Sequence, residues 1–321
     1  MAAHKRSVLL ITGGILATAT IIALINSPFF GIRSTAAAPD FIFPEYGLSL
    51  VDSHGHTIRS DVLAIPPRER IMNVNVHFLN DGQHSDTFGL MAFVGDKQTA
   101  FHAPGSRSPQ TLLPFFLALH KTTTIPITIA LPRNTSHAHE LLITVVAGPD
   151  KHAANMQTSS QSYSVSLQDR LVYPGESVHS VDVHDLRIQS RMIQDFTGLI
   201  INQNGGSKGD NATMPPPLYM DVRPGQRIRL FAHAGGLPFS SRFALIVLVG
   251  WRQQKAWGEH DDLVFRLPAG QSTVLPMQIQ APSKPGDYEV TGFFIPQSLT
   301  GRQEIYAGPV ITSFRFSLKV R

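Results

Sequence analysis

The chain of 321 residues contains no cysteine. Disulfide staples, cysteine-ligated zinc, a thiol nucleophile, a blue-copper centre and a lipid-modified N-terminal cysteine are thereby excluded. Charge is scarce as well. Asp, Glu, Lys and Arg make up 16% of the residues, with 27 basic against 23 acidic side chains, too slight an excess for a nucleic-acid footprint. Hydrophobic residues make up 42%, too many for a wholly disordered chain. A nucleophile elbow in a strand-to-helix setting, an HExxH helix and a P-loop are all missing. Gly205-Gly206-Ser207-Lys208-Gly209 has glycines and a lysine without the strand–loop–helix context. Asp261 and Asp262 are adjacent, so on a strand they point to opposite faces. No helical period runs far beyond residue 38, and the one apolar stretch that offers it, residues 110–119, is broken by Pro114. The expectation is a protein that is not an enzyme, has no cofactor and binds no nucleic acid.

What is present begins with a leader. Lys5 and Arg6 precede an uncharged run over residues 7–31, with an apolar heart at 8–25. A membrane-spanning helix needs about 20 such residues, and basic residues ahead of it hold the N-terminus in the cytoplasm. A cleaved signal peptide is the competing reading. Ala36-Ala37-Ala38 resembles a cleavage site, but Pro39 follows directly. The site also lies well past an apolar run longer than the roughly 7–15 residues of a signal peptide. An uncleaved anchor over residues 1–38, touching the membrane through 7–27, is favoured. The body is then extracytoplasmic, or secreted if the leader is cut. Lys5, Arg6 and Arg33 are the only charges before residue 39, so the exported body is nearly neutral.

The body repeats itself. Residues 72–79 and 228–235 share an alternation of apolar positions. Residues 87–100 and 242–255 share Phe88/Phe243, Leu90/Leu245, Val94/Val249, Gly95/Gly250 and Gln98/Gln253. Residues 123–132 and 273–282 share Thr, Pro, Ile and Pro. Residues 162–168 and 313–319 match as SYSVSLQ and SFRFSLK. Four matches in one order make two units, residues 43–171 and 172–321, joined at Tyr173-Pro174-Gly175-Glu176.

Each unit reads as β. Val74-Asn75-Val76-His77-Phe78 alternates, and residues 243–249 form an unbroken apolar run suited to a strand covered on both faces. Turn signals fall at Asn80-Asp81-Gly82, Pro104-Gly105, Pro268-Ala269-Gly270 and Pro285-Gly286-Asp287. Regularly spaced short strands of this kind indicate a β-sandwich. Pro282, Pro285-Gly286, Tyr288 and Val290 resemble the late strands of bacterial extracellular immunoglobulin-like domains, in which a strand ends at Pro, a Pro-Gly turn follows and a Tyr-x-Val strand begins. The resemblance implies fold and not activity. The first unit departs from it, with Arg133-Asn134-Thr135-Ser136 in place of the turn.

The fold class expected is therefore all-β: two tandem immunoglobulin-like β-sandwich units after one N-terminal transmembrane or signal helix. Candidate contacts are Trp251, Arg252 and Trp257, because Trp and Arg dominate interaction hot spots. Asn204 and Lys208 join them, in the polar, Gly- and Pro-rich insertion at residues 202–217. His54/His56 and His137/His139 are i, i+2 pairs able to share a metal if they lie on strands, yet no spacing among the 14 histidines is diagnostic. The function expected is a membrane-anchored extracytoplasmic protein binding a protein partner or a cell-envelope component. Two alternatives stand beside it: an accessory subunit of a membrane complex, and an exported copper- or zinc-binding protein using His and Met.

Overall fold

The computed structural model describes residues 45–321 apart from 53, 59–61, 66–68, 83, 133–138, 153–163, 173–197, 206–217, 236, 238–239 and 298–309. Every named element among the described residues is a β-strand. None of these residues forms a helix long and apolar enough to cross a membrane. The leader lies outside them.

Ten strands belong to the first half: β1 (Glu45–Val51), β2 (Val62–Ala64), β3 (Ile71–Asp81), β4 (Asp86–Val94), β5 (Lys97–Gln98), β6 (Phe101–His102), β7 (Leu113–Leu117), β8 (Lys121–Ala130), β9 (His139–Ala147) and β10 (Ser164–Val172). They make a four-stranded sheet, β1-β3-β8-β6, and a six-stranded one, β2-β10-β9-β4-β5 with β7 also on β4. Ten more follow: β11 (Gly198–Asn202), β12 (Tyr219–Val222), β13 (Arg227–Gly235), β14 (Ser241–Val249), β15 (Arg252–Gln253), β16 (Asp262–Leu267), β17 (Ser272–Gln280), β18 (Gly286–Gln297), β19 (Ile311–Thr312) and β20 (Phe316–Val320). Their sheets are β11-β13-β17 and β12-β20-β18-β14-β15, the latter with β16 on β14 and β19 on β18. Among the described residues, only β2 on β10 and β12 on β20 pair in parallel. A small and a large mostly antiparallel sheet, face to face over an apolar core, make a β-sandwich.

The sequence periods explain the packing. In β3, Val74, Val76 and Phe78 are buried while Asn73 is exposed and Asn75 and His77 are partly so. One face of this sheet is thus covered and the other wet. The first core gathers these residues with Phe88, Phe101, Ile127 and Ile129. The second gathers Leu230, Phe243, Phe265, Ile279 and Phe294, with the Phe243 and Phe294 rings stacked at 4.3 Å. Burying each such ring fully stabilises the fold by about 1.5–3 kcal/mol. Pro276 interrupts β17 where the ladder can spare a donor. The Gln278 amide two residues on points out of the sheet to the Ala256 carbonyl (2.9 Å), so position 276 faces outward too.

The unbroken apolar strands serve two layers at once. Phe88, Leu90, Ala92 and Val94 of β4 enter the first core, and Phe243, Leu245, Val247 and Val249 of β14 enter the second. The intervening residues form a third apolar layer. Met91, Phe93, Leu142 and Val146 of the first large sheet pack there against Ala244, Ile246, Leu248, Val264, Phe293 and Ile295 of the second. The two large sheets therefore lie outer face to outer face, and residues 43–321 form one compact unit.

Residues 110–119, where Pro114 breaks the helical period, contain the strand β7, with Pro114 exposed at the sheet edge. One reading changes: the match of residues 162–168 to 313–319, an offset of 151, is slipped. Asp169 lies opposite Leu141, and Phe316 lies opposite Val290. Leu141 and Val290 in turn face Val94 and Val249. The strand registers thus place Leu171, rather than Leu167, where Leu318 stands. A slip of four residues keeps every side chain on its face, so alternation alone does not detect it.

Candidate functional site at the joint between the large sheets

The polar rim of the third layer is built by two hairpin turns. Gly95 and Asp96 link β4 to β5, and Gly250 and Trp251 link β14 to β15. Their φ angles are 58° and 65° in the first turn and 55° and 65° in the second. Two successive left-handed residues make the type I′ turn that matches the twist of a two-residue hairpin. Asp accepts this conformation readily; a bulky residue such as Trp adopts it only under constraint.

Beside the turns, Gln98 and Gln253 clasp each other. The Gln98 amide donates to Gln253 Oε1 at 2.5 Å, and the Gln253 amide donates to Gln98 Oε1 at 2.9 Å. Gln98 Nε2 donates to the Trp251 carbonyl and Gln253 Nε2 to the Asp96 carbonyl, both at 2.8 Å. The same two amide groups reach into their own halves, to the carbonyls of Thr111 (3.3 Å) and Asp261 (2.9 Å). Each side chain thus satisfies backbone groups of both halves, at about 0.5–1.5 kcal/mol per bond.

The two ends of the joint differ chemically. At one end Trp251 is buried, with Nε1 donating to the Pro149 carbonyl at 2.8 Å. The Arg315 guanidinium lies 5.3 Å from its ring centroid and donates through Nη1 to the Gly148 carbonyl at 3.1 Å. Burial lowers the Arg315 pKa from its ordinary value, opposed by Glu289, Asp86 and Asp150. Glu289, only 2% exposed, accepts from Ser317 Oγ at 2.5 Å and meets His152 Nδ1 at 2.6 Å.

At the other end Asp96 Oδ1 accepts from Gln297 Nε2 at 2.8 Å. Gln168 Nε2 bridges the Glu140 carboxylate of its own half and the Pro296 carbonyl of the other, the latter at 2.8 Å. Asp96 keeps some solvent exposure, but burial is the first cause that raises its pKa, followed by the charges of Glu140 and Asp262, to about 8. Gln297 and Arg242 oppose the rise. Asp262 is raised too, by burial first and then by Asp261.

The candidates read from the sequence disperse over this frame. Trp251 faces the joint, Arg252 is exposed on β15, and Trp257 is partly buried against the second core. The three therefore do not share one exposed patch. Near Arg252, Lys255 is exposed and pairs with Glu259 at 2.9 Å. Asn204 serves locally: its amide donates to Asn202 Oδ1 at 2.9 Å, and its carbonyl lies 2.9 Å from Nε2 of the buried His233. Lys208 lies outside the described residues.

His54 and His56 sit on a turn after β1, not on a strand. Their amides donate to Asp52 Oδ1 at 2.8 and 2.9 Å, and their rings are exposed. Those backbone bonds, the one from His56 first, lower the Asp52 pKa. His137 lies outside the described residues, and His139 begins β9 opposite Leu171. Among the described residues no three His, Cys, Asp or Glu gather as a metal site.

Sequence reasoning overlooked Glu140, Gln297 and Arg315, and the roles of Asp96 and of the Gln98–Gln253 pair. The pair carried a signal, since an identical glutamine two residues after a matched hairpin turn has no reason to recur on an exposed edge.

No family model matches the chain, and no curated protein matches it. Solved structures resemble it distantly. The Escherichia coli chaperone DraB is 15% identical, with 86% of this chain and 98% of that one covered at a TM-score of 0.24. The C-terminal domain of the Streptococcus agalactiae polypeptide BspA is 8% identical, with 86% and 100% covered at 0.22. For a red sea bream transglutaminase, 7% identical at 0.24, the match covers 87% of this chain but only 31% of the other. Likenesses this remote carry no argument about activity or partner.

Proposed function

We propose that this chain is a membrane-anchored extracytoplasmic interaction protein, built as a tandem pair of immunoglobulin-like sandwich units that arose by duplication. Its body is a rigid two-lobed scaffold, and recognition takes place on its exposed loops and strand edges. The third apolar layer supports this reading: side chains of both large sheets lock the halves together through Phe93, Ile246 and Phe293. A preformed scaffold lowers the entropy cost of binding a partner. The contact residues are Arg252 and Lys255, exposed beside the joint, with the partly buried Trp257 at their edge. Trp251 acts from inside, holding the hairpin that presents Arg252.

The test expresses the full chain with its leader, wild type and Arg252→Glu. The body should fractionate with membranes and be cut by protease added outside intact cells. A stoichiometric partner should co-purify with the wild type and be lost from Arg252→Glu at unchanged thermal stability. A soluble cytoplasmic body sinks the anchored reading. A partner retained by Arg252→Glu moves the contact elsewhere. If the partner is itself an integral membrane complex, the chain is its accessory subunit.

A further inference from the structure

The outer faces of the two small sheets share a register and differ in chemistry. In the second half β13 alternates: Ile228 and Leu230 enter the core, Arg227 and Arg229 are exposed on the outer face, and Phe231 follows them, partly buried. Across the ladder from these three stand Gln280, Gln278 and Pro276 of β17, all exposed. In the first half the corresponding pairs are Ile71 with Ala130, Asn73 with Thr128 and Asn75 with Pro126. The proline recurs, but the arginines and glutamines have no counterpart there, and Thr128 Oγ1 already donates to Asn73 Oδ1 at 2.7 Å.

The face of the second half offers donors. Among the described residues neither Arg227 nor Arg229 has an acid partner, and the Gln278 side-chain amide takes no bond. The two arginines leave the strand about 7 Å apart. The Arg229 guanidinium lies 5.3 Å from the Phe231 ring centroid, and a guanidinium laid on a ring keeps its N–H fork open at the edge. Phe231 is held in turn by Gly205. A Cβ there would come within 2.8 Å of the ring, so the backbone lies against it only because the residue is glycine. Gln280 is braced from Nε2 to the Gly225 carbonyl at 3.4 Å. Two residues beyond Phe231, His233 is fully buried, so the exposed stretch of the face ends at the ring.

We infer that this face binds an acidic polysaccharide. Carboxylates along the polymer meet the forks of Arg227 and Arg229, whose planar geometry suits bidentate pairing. Hydroxyls meet the Gln278 amide, which both donates and accepts. The apolar face of a sugar ring covers Phe231 and Pro276. An acidic peptide answers the arginines alone, whereas the amide and the ring–proline step call for hydroxyls and apolar C–H faces, which a sugar supplies together. The surface belongs to the small sheet and not to the hairpin that carries Arg252. The inference rests on the proposed extracytoplasmic setting only for the presence of such a polymer.

The test titrates the purified full chain, in detergent, with polygalacturonate in a calorimeter, using dextran and polyglutamate as the neutral and the acidic-peptide comparisons. The wild type should bind polygalacturonate, more weakly as salt rises, and should bind it more tightly than either comparison. Arg227→Gln and Arg229→Gln should each weaken binding about tenfold at unchanged thermal stability. Phe231→Leu keeps every charge and should weaken it about two- to fivefold. Arg266→Gln makes the same charge change at an exposed position of β16 and should leave binding unaltered. No binding, polyglutamate bound as tightly, Arg266→Gln as harmful as Arg229→Gln, or Phe231→Leu binding like wild type overturns the inference. A body found in the cytoplasm would sink the proposed setting without touching these affinities, and their loss would leave the Arg252→Glu partner assay as it stands.

Discussion

The turns Gly95-Asp96 and Gly250-Trp251 have nearly the same backbone and opposite chemistry. Both put two residues in the left-handed region, and both are followed two positions later by the glutamine that clasps its counterpart. One tip carries a carboxyl among other acids. The other carries an indole under a guanidinium. A shared backbone thus sets where the halves meet, and the tip side chain sets how each end responds to its surroundings.

The largest effect should come from the aromatic end. Trp251→Ala removes a buried ring, its bond to Pro149 and its contact with Arg315, and should cost about 3–5 kcal/mol in denaturant unfolding. Asp96→Ala at mildly acidic pH should cost far less. Equal costs would mean that the two ends carry the joint alike. Next comes the clasp. Gln98→Ala and Gln253→Ala should each destabilise by about 1–3 kcal/mol, because each leaves polar groups of the other half unpaired. Their double-mutant cycle should show coupling of about 0.5–3 kcal/mol, and strict additivity would dissolve the idea of a clasp.

A smaller effect of opposite sign should come from Asp96→Asn. Asparagine tolerates the left-handed turn and still accepts from Gln297. Its thermal stability should match wild type in strong acid and exceed it increasingly as pH rises from about 4 toward about 8, because only the wild type must keep a proton there. The smallest effect should be that of Arg252→Ala, within about 0.5 kcal/mol, since the side chain is exposed. A larger loss would show that Arg252 supports the joint and is not free to meet a partner.

Much of the architecture was legible because apolar period reports burial directly. Val74, Val76 and Phe78 alternate because one face of β3 is covered, and residues 243–249 run unbroken because β14 is covered twice. The site was far less legible. Trp251 reads as a hot-spot residue from its type and neighbours, but the identity of the surface it meets is set by Pro149 and Arg315, more than 60 residues away in either direction along the chain. The slip of four in β10 against β20 escaped notice because alternation is unchanged by any even shift.

By itself the sequence determined the β class, the absence of thiol chemistry, the strand at residues 243–249 that needs two covered faces and the turns at Pro104-Gly105 and Pro268-Ala269-Gly270. These are local properties: side-chain period, turn dihedrals and residue chemistry act within a few positions. Only the tertiary structure decided that the two apolar outer faces cover each other, that Gln98 and Gln253 bond reciprocally, and that Asp96 lies among Glu140, Asp262 and Gln297. Those outcomes depend on groups brought together from opposite halves, where burial and neighbouring charge, not residue type, set hydrogen bonding and proton affinity.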